Sequence, residues 1–150
     1  MRITIAKMGT VLALTSALFV GTGTGQHASA AAHTYSANGD YVHVTNGRAS
    51  AHGFWDWTSA APPTRTATVV IALQKYNPAT KKWITVNTAS NSTQGVGSGS
   101  GRRLPVNVPC NGSTATQWRS SIVASVNPQP GDTFNKSSTM TTISRTLACG

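Results

Sequence analysis

The sequence predicts an all-β chain, a single antiparallel β-sandwich of immunoglobulin- or fibronectin-like type closed by one disulfide. Three observations predict it. Short runs of alternating or β-branched residues recur between Gly, Pro, Asn and Ser clusters; no segment sustains a helical period; and two cysteines, Cys110 and Cys149, stand near the ends of two such runs. Before any of these runs comes a leader. Arg2 and Lys7 precede the apolar stretch "MGTVLALTSALFV", and Ala28-Ser29-Ala30 supplies small residues for cleavage, so residues 1–30 read as a secretory signal, with cleavage after Ala32 as the second choice. Residues 31–40 read as a flexible N-terminal arm and residues 41–150 as the sandwich domain, exported to the extracellular space with no membrane insertion.

The elements follow in order. "YVHVTN" alternates and ends in the Asn46-Gly47 turn, a hairpin signal, after which "RASAHGFWDW" forms the next strand. "TATVVIALQKY" is the most apolar stretch beyond the leader and fits a central strand. Asn77-Pro78-Ala79-Thr80 turns it into "KKWITVNTAS" as a hairpin. The glycine-rich Ser90–Gly101 segment reads as a mobile loop. "RRLPVNVPC", with Pro105 and Pro109, belongs at an edge or bulge; "TQWRSSIVASVN" is a second strong strand, and "STMTTISRTLAC" is the last of seven. In an oxidising compartment Cys110 and Cys149 pair, and closing a loop of roughly 40 residues stabilises by about 4 kcal/mol in the chain-entropy model.

Composition narrows the chemistry. The chain has no glutamate and three acids, Asp40, Asp56 and Asp132, against twelve lysines and arginines. Without Arg2 and Lys7 the formal charge is about +7, which serves solubility or an anionic contact such as a cell-wall polymer. Lys81-Lys82 and Arg102-Arg103 are separate pairs, no nucleic-acid motif accompanies them, and no nucleic-acid partner is expected. None of the three acids sits in an acid/base motif for glycoside hydrolysis. His52 and Asp56 on one extended strand lie about 13 Å apart, too far for a triad. No nucleophile elbow or phosphate loop is present, so the expectation is a protein that is not an enzyme, without catalytic residues, metal or cofactor.

The stretch "AHGFWDW" divides by strand alternation. Gly53, Trp55 and Trp57 share one face, expected to be core; His52, Phe54 and Asp56 share the other, expected to face outward. The rival reading is an aromatic platform for carbohydrate, with Trp57 joined by Trp118 or Tyr41. A start at Ala31-Ala32-His33 offers an amine, two amides and an imidazole to copper, with His43 and His52 helping only if folding brings them close. Sequons begin at Asn91, Asn111 and Asn135 and mark surface loop composition.

Taken together, "SAHGFWDW", "TATVVIALQKYNPATKKWITV", the glycine loop, "RRLPVNVPC", "TQWRSSIVASV" and "RTLACG" resemble small secreted actinobacterial proteins. Among these the chain resembles the adaptor subunits of umbrella-shaped antibacterial toxin particles. That resemblance implies a non-enzymatic role, joining other secreted proteins in a hetero-complex through an extended N-terminal strand, to which the chain's own unpaired sheet edges add a second contact. The residues expected to meet the partner are His33, Thr34 and Tyr35 in the arm, together with Phe54 and Trp57. A wall- or carbohydrate-binding module using Trp57, Phe54 and the basic pairs is the alternative, followed by a copper carrier.

Overall fold

Alternation of small apolar and polar side chains along three long runs builds the molecule around β3, β4 and β7. The computed structural model describes residues 33–59, 64–130, 132–134 and 137–150; the leader, Ala31-Ala32 and the Asn135 sequon lie outside the described residues. The strands are β1 (Tyr35–Gly39), β2 (His43–Thr45), β3 (Arg48–Trp57), β4 (Thr66–Asn77), β5 (Lys82–Gly95), β6 (Leu104–Pro109), β7 (Ala115–Val126), β8 (Ser138–Thr141) and β9 (Arg145–Ala148). All of their ladders are antiparallel, and they form two sheets.

In the first sheet β3 is central. One edge of β3 pairs with β1, from Tyr35↔Trp57 to Gly39↔Gly53, and then with β2, from His43↔Ser50 to Thr45↔Arg48. Because β6 pairs the same Arg48–Gly53 stretch, it must occupy the opposite edge. The β2–β3 hairpin turns at Asn46 and Gly47, with φ of 51° and 68°, the left-handed pair that a two-residue turn between twisted strands requires. The second sheet runs β5–β4–β7, and the far edge of β7 carries β8 and β9 end to end. The β4–β5 turn is held by the Asn77 side chain, whose Oδ1 accepts from the amides of Ala79 at 2.9 Å and Thr80 at 3.3 Å.

The core lies between the sheets. Ala49, Ala51 and Trp55 of β3 meet Ala67, Val69, Ile71 and Leu73 of β4 and Trp118, Ile122 and Ala124 of β7, all buried. Burying each large aliphatic side chain contributes about 1.5–3 kcal/mol. Small residues on β3 let the sheets approach: a Cβ placed on Gly53 would lie 3.2 Å from Ile71 Cβ and 3.3 Å from Ile122 Cγ1. Ile122 thus packs directly against the first sheet's backbone at the paired Gly39 and Gly53.

Both open sides of the sandwich are stitched. On one, Ser120 of β7 donates through Oγ to Asp40 O at 3.3 Å and through its amide to Thr142 Oγ1 at 2.9 Å, while Ala37 N donates to Ser138 Oγ at 2.9 Å. On the other, Asn87 of β5 donates to Asn107 O of β6 at 2.8 Å. The Cys110–Cys149 disulfide, with Cα atoms 4.6 Å apart, ties the end of β6 to the end of β9 and so joins the two sheets.

Three sequence expectations are corrected. The arm is not free from Tyr35 onward: Tyr35 and Ala37 alternate inward, are 4% and 5% exposed, and draw the segment into the first sheet as β1. Ser90–Gly95 is strand, not loop, because Gln94 is buried at its end and its backbone carbonyl accepts the Trp55 Nε1–H at 2.9 Å. "STMTTISRTLAC" is two strands, broken where the Thr142 amide and side chain turn inward onto Ser120. The seven expected strands are therefore nine, although β1 with β2, and β8 with β9, each continue a single edge.

Candidate functional site

Strand alternation on β3 sends its tryptophans inward. Trp55 is fully buried, and Trp57, at the strand's end, is half-buried in a group of edge-on and tilted rings with Tyr35 at 6.2 Å, Trp55 at 5.2 Å and Phe134 at 5.5 Å between centroids. His33 joins the same group, 5.9 Å from Trp57, and makes a parallel bridge with Phe134. Thr34 is exposed and shares a 2.6 Å hydrogen bond with the Thr58 hydroxyl. Of the residues expected to meet a partner, His33, Tyr35 and Trp57 therefore pack on one another, and Tyr35 is core. Among the described residues Trp57 has no coplanar companion: Trp118 is buried in the second sheet, and Tyr41 lies under the Arg145 guanidinium at 4.4 Å.

The opposite face of β3 carries a polar network. His52 Nδ1 lies 3.0 Å from Asp40 Oδ2, and Arg103 forms an ion pair with the same carboxylate oxygen. Arg103 also reaches over Phe54, 5.7 Å from the ring centre, so Phe54 is capped by a cation. His43 stacks on His52 with ring centres 5.9 Å apart. Burial pushes the His52 imidazole below its ordinary value, and neighbouring His43 adds to the shift. The carboxylate beside His52 is Asp40, from the break between β1 and β2. Asp56, two strand positions beyond Phe54, lies beside Gly97. Sequence distance concealed this pairing, because Asp40 reaches His52 only after β1 has folded onto β3.

A second surface lies where β5 ends the second sheet. Among the described residues β5 pairs only with β4, and most of its residues are exposed. Ile84 and Val86 are 45% and 40% exposed. They border a cleft of about 340 Å³ floored by Lys75, Tyr76 and Pro78. A neighbouring cleft of about 270 Å³ shares Lys75 and Val86 and continues to Val108, Pro109, Trp118 and Cys149. Register irregularities between Ala67 and Val69 and between Leu73 and Gln74 divide the β5 edge into short segments. Trp83, cross-strand from Tyr76, lies under Arg119 at 4.3 Å, and Gln74 Oε1 holds the Arg119 Nε–H at 2.7 Å. The Asn77–Thr80 turn foretells the hairpin; the register that sets Tyr76 against Trp83, and the arrival of Arg119 from β7, are decided by the fold.

The basic pairs serve different ends. Arg102 donates to Val96 O at 2.9 Å and braces the glycine loop, Arg103 holds Asp40, and Lys81 adopts φ of 54° in the β4–β5 turn. Arg65 and Asp132 form a two-pronged pair at 2.9 Å, and those hydrogen bonds, before all else, hold the Asp132 carboxyl below its usual range. Among the described residues no group of three or more histidines, cysteines or acids is placed to hold a metal ion, and no helix is long and apolar enough to cross a membrane. No family model matches the chain, nor does any curated protein or solved structure.

Proposed function

We propose that the chain is an exported, non-enzymatic protein-binding module, an adaptor within an extracellular assembly of toxin type, and that it engages its partner along the open edge of β5. One observation carries this reading. A long outermost strand presents exposed Ile84 and Val86 beside two adjoining clefts, one mainly apolar and one of mixed lining, while among the described residues no strand is paired to its outer edge. Backbone hydrogen bonds from an added strand supply affinity, and side chains seated in the clefts supply specificity. The break at Val86 sets the Lys82–Thr85 end, next to the clefts, apart from the rest of the edge, where Asn87 is tied to β6. The partner's contact moves accordingly from the N-terminal segment to β5, since Tyr35–Gly39 is engaged by β3.

The fold assignment within this reading is immunoglobulin/fibronectin-like. Counting β1 with β2 and β8 with β9, seven rows divide three against four, as in immunoglobulin-type sandwiches. Here the fourth row, β5, pairs with β4 and not with β6, and so ends the second sheet.

The test is recovery of the tagged protein from its own culture fluid. The native chain is expected to bring down a stoichiometric partner, and Ile84→Lys or Val86→Lys to lose it at least tenfold while unfolding at the native temperature. A chain recovered as a lone monomer, or edge variants that retain the partner, would overturn the reading.

A further inference from the structure

The pair of histidines on the outer face of the first sheet is not used by the β5 surface. His43 stands on β2 opposite Ser50, and His52 is the next residue along that same face of β3, so the cross-strand diagonal brings the two rings together. Each ring is fixed through Nδ1. His43 Nδ1 faces the Tyr41 carbonyl oxygen at 3.3 Å, and His52 Nδ1 faces the Asp40 carboxylate at 3.0 Å. A carbonyl oxygen or an ionised carboxylate only accepts, so in both neutral rings the proton sits on Nδ1 and the Nε2 lone pair is bare. Among the described residues neither Nε2 has a hydrogen-bond partner. An imidazole oriented by a carboxylate or carbonyl on one nitrogen and free at the other is the arrangement that metal-ligating histidines adopt.

We propose that His43 and His52 together bind a divalent transition-metal ion through Nε2, with Asp40 as the positioning residue behind His52 and water completing the coordination. The ring centres are 5.9 Å apart. Zinc–imidazole bonds of about 2.0–2.1 Å place two ligating rings roughly 5–6 Å apart; the rings are stacked 20° from parallel, so the half-buried His43 side chain has to turn about its torsions to aim its Nε2 at an ion held by His52. Two imidazoles and water are a borderline donor set, suited to Zn(II), Cu(II) or Ni(II) and not to Mg(II) or Ca(II). With two protein ligands this is a surface site, distinct from the closed four-ligand cages that hold structural zinc. Arg103 is directed at Asp40 and Phe54, and pairs with the same carboxylate that faces His52. The pair is also separate from His33. Tyr35 pairs with Trp57 and His43 with Ser50, which puts His33 at the opposite end of β3, roughly 20 Å away.

Zn(II) competition titration against a colorimetric chelator tests the site, using disulfide-intact protein without a histidine tag and carrying His33→Ala, so that the amino-terminal residues contribute no imidazole. One Zn(II) per chain is expected. His43→Gln and His52→Gln are each expected to weaken it at least tenfold, and Asp40→Asn about tenfold through loss of ring orientation. His43→Gln is the decisive variant, because this side chain lies on a short exposed strand and its replacement leaves the core intact. Unchanged affinity in His43→Gln protein that unfolds at the parent temperature would overturn the proposal, as would no Zn(II) binding by the His33→Ala parent.

Discussion

Gly53 shows how a single absent side chain shapes the sandwich. Its backbone φ is unremarkable; what matters is that Ile71 and Ile122 occupy the space a methyl group would need, with Cβ contacts of 3.2 and 3.3 Å. Gly53→Ala is therefore expected to cost about 1–3 kcal/mol as overpacking, read as a lower urea midpoint at unchanged slope. His52 gives a pH signature. Its folded-state pKa lies below the ordinary 6.5, because burial and then His43 disfavour the charged ring. Below pH 6.5 the unfolded chain takes up a proton that the folded chain resists. This contribution to stability is thus present at neutral pH and lost as the pH falls. Thermal unfolding from pH 7.5 to 5 is expected to show this decline, and His52→Gln to flatten it.

Among the elements, β9 depends most on a covalent tie. It is four residues long, its side chains are mostly exposed, and it contributes little core beyond Leu147. The Cys110–Cys149 bond closes a separation of 39 residues between the two sheets. Replacing both cysteines by alanine is expected to lower stability by about 4 kcal/mol, with β9 amides losing hydrogen-exchange protection before those of β4 and β7. β5 presents the reverse case: it is the longest strand yet mostly exposed, held by its ladder to β4 and by Asn87. Edge variants at Ile84 or Val86 remove little buried area, which makes them clean probes of binding.

The charge of the molecule is more one-sided in space than its composition implies. Two of its three acids are engaged inside the fold, Asp40 by Arg103 and Asp132 by Arg65. The exposed surface is left to cations such as Lys81, Lys82 and Arg102. If the proposed strand addition at β5 holds, association with an acidic partner is accordingly expected to slow as salt rises from 0.05 to 0.5 M, roughly tenfold, with a much smaller change in dissociation rate. A rate insensitive to salt would place the contact away from the lysines flanking β5.

The local order of the residues was enough to mark what depends on period and on special backbone positions. It marked the all-β class, β3 to its exact ends, the Asn46-Gly47 and Asn77 turns, β4 as a central strand, the inward side of Trp55 and the pairing of Cys110 with Cys149. Alternation and turn chemistry are properties of neighbours in the chain, and they survive whatever the rest of the molecule does. The fate of Tyr35–Gly39, the extension of β5 through Gln94 and the break at Thr142 were set by packing partners 20 or more residues away: Trp57, Trp55 and Ser120. The meeting of Asp40, His43 and His52 spans no more than 12 residues, but it and the arrival of Arg103 still needed β1, β2 and β6 to close on β3. Each of those side chains is unremarkable in its own stretch, and only the closing of three strands into one sheet gives them a common face.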